Sequence, residues 1–125
     1  MSSRKFVDSL RYAVDGIEYC MKTQRNMRVH LAISLVVIAC CALLEISRVE
    51  FVMVIITISM VFICEIINTA VERAVDTATQ EYHPIAKIAK DVAAGAVLVA
   101  AINSVIVGFL IFGGYLRALV IMMLE

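Results

Sequence analysis

The apolar positions of residues 4–22 fall at Phe6, Val7, Leu10, Val14, Ile17 and Met21, the spacing of one helical face. Arg4, Lys5, Asp8, Arg11, Asp15, Glu18 and Lys22 fill most of the other face. So charged a segment does not cross a bilayer. The pattern predicts an amphipathic helix lying in the membrane interface, with packing on a partner protein as the alternative. Residues 31–44 then carry no charge before Glu45, but they rise only about 21 Å as a helix. That is short of the roughly 30 Å hydrocarbon core. A first span over 27–44 therefore borrows a turn from the polar stretch ending at His30. Residues 45–50 (EISRVE) read as a connector and 51–72 as a second span, which contains Glu65 and Asn68. A polar segment over 72–91 holds the only proline, Pro84. The third span covers 91–114 and is closed by Gly113 and Gly114, and an apolar tail with Arg117 occupies 115–125. The fold class is all-α integral membrane: one domain over 1–125, with a surface helix and three transmembrane helices.

Composition agrees. The chain has 125 residues, 62% hydrophobic and 18% charged, with a mean hydropathy of +0.95. Soluble domains hold about half apolar and about a quarter charged residues, and a chain this short cannot bury the excess in a water-soluble core. An ordinary soluble domain and a disordered chain are both excluded. The net charge of zero gives no bulk attraction to nucleic acid, so no nucleic-acid partner is expected. Cys40 and Cys41 are adjacent, and they and Cys64 lie in apolar runs. With Cys20, these cysteines read as small buried hydrophobes. Residues 1–30 lack the apolar core and small-residue site of a cleavable signal peptide.

The distribution of charge is more informative than its sum. Arg4, Lys5, Arg11, Lys22, Arg25 and Arg28 precede the first span, and Arg73, Lys87 and Lys90 lie between the second and third. Only Arg48 and Arg117 fall on the other side. By the positive-inside rule, the N-terminus and the 72–91 segment of a multi-pass membrane protein are expected to be cytoplasmic. Three spans are too few to enclose a site easily. The small residues Ala93, Ala94, Gly95, Ala96, Ala100, Ala101 and Ser104 permit close helix contact in an oligomer.

The anomaly is EIINTAVERAVD, residues 65–76. At about 100° per residue, Glu65, Asn68, Glu72 and Asp76 share one stripe about 80° wide. Glu65 lies about 9 Å inside the apolar zone if the boundary is near residue 71. An acid there is costly unless it faces protein, water or a cation, and is a functional candidate by default. The alternative is a structural acid paired with Arg or Lys. Glu72, at the boundary, suits a hydrated Mg²⁺. Glu65 is deeper, where only a lipid head group or an ion can reach, and suits a general base for a hydroxyl. Lys87 and Lys90 offer charge to phosphates, Asp91 can support a metal or Lys90, and Glu81, Tyr82 and His83 add polar and aromatic contacts. The chain has no P-loop or Gly-rich phosphate loop. His30, at the mouth of the first span, reads as a contact to substrate or metal or as an interfacial hydrogen-bonding residue. His83 precedes Pro84 and is pushed out of helix.

Residues 65–76, Glu81 to Pro84, the run AKIAKDVAAGAVL at 86–98 and RNMRVH at 25–30 together closely resemble the prokaryotic diacylglycerol kinase family. The likeness covers roughly residues 5–112 and is nearest the Gram-positive-type branch acting on undecaprenol. It implies a homotrimer with active sites shared between subunits, moving the γ-phosphoryl of MgATP onto a membrane lipid hydroxyl. It implies Glu65 as catalytic base with Asn68 beside it, and Glu72 as a metal ligand. Lys5, Tyr12, Glu81, Tyr82, His83, Lys90 and Asp91 match positions that contact ATP, and Ala94 with Glu65 the lipid substrate. Gln24 stands where the family usually has a second metal-binding glutamate. It offers a carbonyl oxygen without charge, which predicts weaker Mg²⁺ binding. Lys5 replaces arginine found in some members, keeping charge but losing the bidentate fork. The rival readings are a non-enzymatic oligomer whose acidic stripe lines a cation path, and a kinase-like protein with reduced activity.

Overall fold

The computed structural model describes residues 3–125, in four helices: α1 Ser3–Thr23, α2 Arg25–Leu43, α3 Arg48–Ala78 and α4 Pro84–Leu124. The last three are long and apolar enough to cross a membrane. Successive helices turn back on one another. The end of α2 and the start of α3 meet at the Cys41–Val54–Ile111 cluster, while His30, near the start of α2, faces Glu65 in the second half of α3. α3 and α4 form the principal pair, and α2 and α1 lean on α3.

Local chemistry sets the helix ends. Gln24 breaks α1 from α2 in an extended conformation without a side-chain cap. The Arg28 guanidinium closes that joint by donating to the Met21 and Lys22 carbonyls, both at 3.0 Å, which satisfies orphan acceptors at the end of α1. α2 ends in a Schellman turn: Ile46 N–H donates to the Cys41 carbonyl and Glu45 N–H to that of Ala42. Ile46 then packs on the Cys41 cluster. Glu45 takes the left-handed conformation there, with φ of 50°, where glycine is usual.

The structure moves three boundaries. The expected 45–50 connector is shorter, because Ser47 and Glu50 form a capping box that starts α3 at Arg48. The 72–91 segment is mostly helix, with a break only over 79–83. His83 Nδ1 accepts from Ile85 N–H at 3.2 Å as the N-cap, and Pro84 takes the first turn, where it is tolerated. Gly113 and Gly114 do not end α4, which runs on through the expected tail. A glycine in a helix costs about 1 kcal/mol. Ending the helix there would free several backbone carbonyls, so the helix continues.

Little of the apolar surface is covered within one chain. Cys20, Met27, Cys41, Val54, Val61, Ala100 and Ile111 are the buried apolar residues among those described. Phe6, Val7, Leu10, Val14 and Ile17 of α1 are exposed, as are many apolar residues along α4. All four cysteines are free, with Cys20 and Cys41 buried and Cys40 and Cys64 partly so.

Candidate active site

The stripe on α3 carries the deepest polar groups of the chain. Glu65 and Thr69, one turn apart, are each 2% exposed. Thr69 satisfies its hydroxyl by donating to the Glu65 carbonyl at 2.9 Å. The Glu65 carboxylate has no such relief. Its Oε1 is buried without a hydrogen-bond partner. The group it faces is His30 Nε2 of α2, at 3.5 Å, beyond a well-formed hydrogen bond. Half-buried Asn68 donates from Nδ2 to Glu72 Oε1 at 3.4 Å, while its own Oδ1 is buried and unpartnered. A buried polar atom without a partner costs roughly 1–3 kcal/mol, and more when charged. Both such atoms lie on one helical stripe and call for a partner outside the helix.

Beyond the apolar stretch 51–71, the end of α3 and the start of α4 frame an open concavity of about 550 Å³. Asp76, Glu81, Tyr82, His83, Lys90 and Asp91 line it, with Lys87 among the other lining residues. Lys90 Nζ meets Asp76 Oδ1 at 2.5 Å, and Arg73 approaches the other oxygen at 3.7 Å. The hydrogen bond from Lys90 holds the Asp76 carboxyl below the usual carboxylate range. Lys90 thus ties the two helices together and presents positive charge in the concavity. Asp91, expected to support a metal or Lys90, pairs with Lys87 one turn earlier. That pair follows helical spacing, whereas Lys90 lies on the face turned to α3.

A second groove, of about 500 Å³, runs between α1 and α3, with Tyr12 and Gly16 on one wall and Thr69, Ala70 and Arg73 on the other. Tyr12 is 71% exposed there. Lys5 is exposed on α1, and Gln24 is half-buried at the start of α2, its amide nitrogen donating to Thr23 Oγ1 at 3.3 Å. Among the described residues, no three His, Cys, Asp or Glu side chains gather as a metal cage.

The sequence profile of the prokaryotic diacylglycerol kinase family matches residues 11–112. The chain belongs to this family of lipid kinases. A diacylglycerol kinase of Synechocystis sp. is 48% identical over 101 residues, which cover 80% of this chain and 58% of the relative's own length. An undecaprenol kinase of Bacillus subtilis is 43% identical over 108 residues, covering 86% of this chain and 88% of the relative. A diacylglycerol kinase of Escherichia coli is 42% identical over 71 residues, covering 57% of each chain.

In this diacylglycerol kinase family member, one chain gathers part of the expected residue set. Glu65, Asn68 and Glu72 share the α3 stripe, and Glu81, Tyr82, His83, Lys90 and Asp91 share one concavity. Lys5, Gln24 and Ala94 do not line the two concavities described above or the cavity between α2, α3 and α4, and Ala94 is exposed on α4. Two partnerships escaped the sequence pattern: His30 against Glu65 and Asp76 against Lys90. Periodicity placed Asp76 on the stripe. Nothing local to either residue discloses a partner on another helix.

Proposed function

We propose that this chain is an integral-membrane kinase transferring the γ-phosphoryl of ATP to the hydroxyl of a membrane lipid, undecaprenol or diacylglycerol. The observation that carries the proposal is Glu65, a buried carboxylate on an apolar helix with an oxygen that no protein group satisfies. A lipid hydroxyl entering from the bilayer supplies the missing partner. Glu65 takes its proton as the lipid oxygen bonds to the γ-phosphorus and the bond to ADP breaks. Asn68 orients the same hydroxyl with its free Oδ1. Such transfer is mostly positioning and electrostatics. Lys5, Tyr12, Glu81, Tyr82, His83, Lys90 and Asp91 hold ATP, and Ala94 lines the lipid path.

Glu72 and Gln24 are the residues that would hold Mg²⁺. Their oxygen donors fit a hard cation that keeps waters and substrate phosphates and needs only one or two carboxylates. Bound there, Mg²⁺ would neutralise phosphate charge. Residues widely spaced in one chain, and an apolar surface left bare, support a homotrimer whose sites are completed by neighbouring subunits. The charge distribution supports a cytoplasmic N-terminus and 79–83 turn in a bacterial plasma membrane, with α1 as the amphipathic helix in the interface. The relatives are named for both lipids.

The direct test incubates purified protein with ATP, Mg²⁺ and either lipid in parallel. Lipid phosphate from at least one is expected, and none from either overturns the proposal. A kinase-like protein of reduced activity is the second reading, favoured by the uncharged Gln24. ATP binding without turnover would select it. A cation path is disfavoured, because the cavity along the spans is largely apolar.

A further inference from the structure

We infer that His30 is a positioning residue for Glu65, which steadies the carboxylate and receives the proton Glu65 takes from the lipid hydroxyl. The inference rests on the kinase reading above. The Glu65 side chain is 3% exposed and its Oε1 lacks a partner, so bulk water does not relieve it of a proton directly. His30 Nε2 stands 3.5 Å from that oxygen, and its side chain is 23% exposed, the more open member of the pair. Imidazole is the side chain suited to take and release protons near neutral pH.

The setting limits the alternatives. His30 heads an intramembrane cavity of about 220 Å³ between α2, α3 and α4, which also contains Ser34, Thr57, Ser104 and Phe112. His30 is its one titratable lining residue, and Glu65 is the acid within ion-pair distance of it among the described residues. Ser34 Oγ donates to the His30 backbone carbonyl at 2.7 Å and not to its ring. The lipid O–H bond breaks and its proton goes to Glu65. The lipid oxygen bonds to the γ-phosphorus as ADP leaves. The proton then passes from the Glu65 carboxyl to His30 Nε2 and out to water, regenerating the carboxylate.

The test uses full-length protein in detergent micelles with ATP, Mg²⁺ and lipid. Wild-type turnover is measured first, and its absence overturns the kinase reading and this inference with it. His30→Gln, which keeps a hydrogen-bonding group but relays no proton, should lower kcat by about 10²-fold with the KM for ATP unchanged. His30→Ala should lose activity equally and recover it on adding imidazole, which can enter beside the cavity, whereas Glu65→Gln should not recover. Active wild type with an undiminished kcat in His30→Gln overturns the inference alone. So does a His30→Ala protein that still binds ATP but ignores imidazole. If His30→Ala does not fold, the kcat of His30→Gln decides.

Discussion

The two ends of the α3–α4 pair treat their carboxylates in opposite ways. At the α2–α3 turn, Glu50 Oε2 accepts from Ser47 N–H at 2.9 Å and from Tyr115 Oη at 2.7 Å. Its own N–H donates to Ser47 Oγ at 3.2 Å. The apolar cluster of Cys41, Val54 and Ile111 lies at the same end, and Tyr115 packs against it. Toward the α3–α4 loop, Glu65 is far more deeply buried than Glu50, yet its Oε1 has no hydrogen-bond partner. One carboxylate is thus surrounded by donors and the other is buried bare, a difference that the proposed kinase site accounts for.

That contrast can be broken by substitution, and the largest effect falls at the bare carboxylate. Glu65→Gln should cut lipid phosphorylation by about 10³-fold, the range of a lost general base. Its thermal midpoint should not fall, since a neutral amide is cheaper to bury than an unpaired carboxylate. Lys90→Met removes the ammonium from the open concavity and should raise the KM for ATP about tenfold, as loss of one charge-assisted hydrogen bond would. Tyr115→Phe should leave turnover unchanged and cost about 1 kcal/mol of stability, read from thermal unfolding, because it removes one donor from Glu50. Glu45→Gly relieves the left-handed residue in the Schellman turn and should raise stability by about 1 kcal/mol, also without touching turnover.

Most of the architecture was legible from spacing. The period of Phe6 to Met21 foretold α1 and the uncharged runs foretold three long apolar helices, whereas the start of α4 at Pro84 lay inside the segment read only as polar. The Ser47…Glu50 capping box stood in the sequence and would have moved the start of α3 to its observed place. Gly113 and Gly114 misled because two glycines cost only about 1 kcal/mol each in a helix, too little to end an apolar run that continues to Leu124. Of the candidate site, the α3 stripe was readable, because Glu65, Asn68 and Glu72 lie on one helix with a fixed period. The pairings of Glu65 with His30 and of Asp76 with Lys90 were not. Each joins two helices, and the rotation of one helix against another depends on the packing of the whole bundle.

The most direct measurement compares Glu65→Gln and Tyr115→Phe in one micelle preparation, recording lipid-phosphate turnover and thermal midpoint for both. The account predicts a crossed result: Glu65→Gln loses turnover and holds its midpoint, while Tyr115→Phe holds turnover and loses midpoint. Turnover surviving in Glu65→Gln, or lost there only in step with the midpoint, would contradict it.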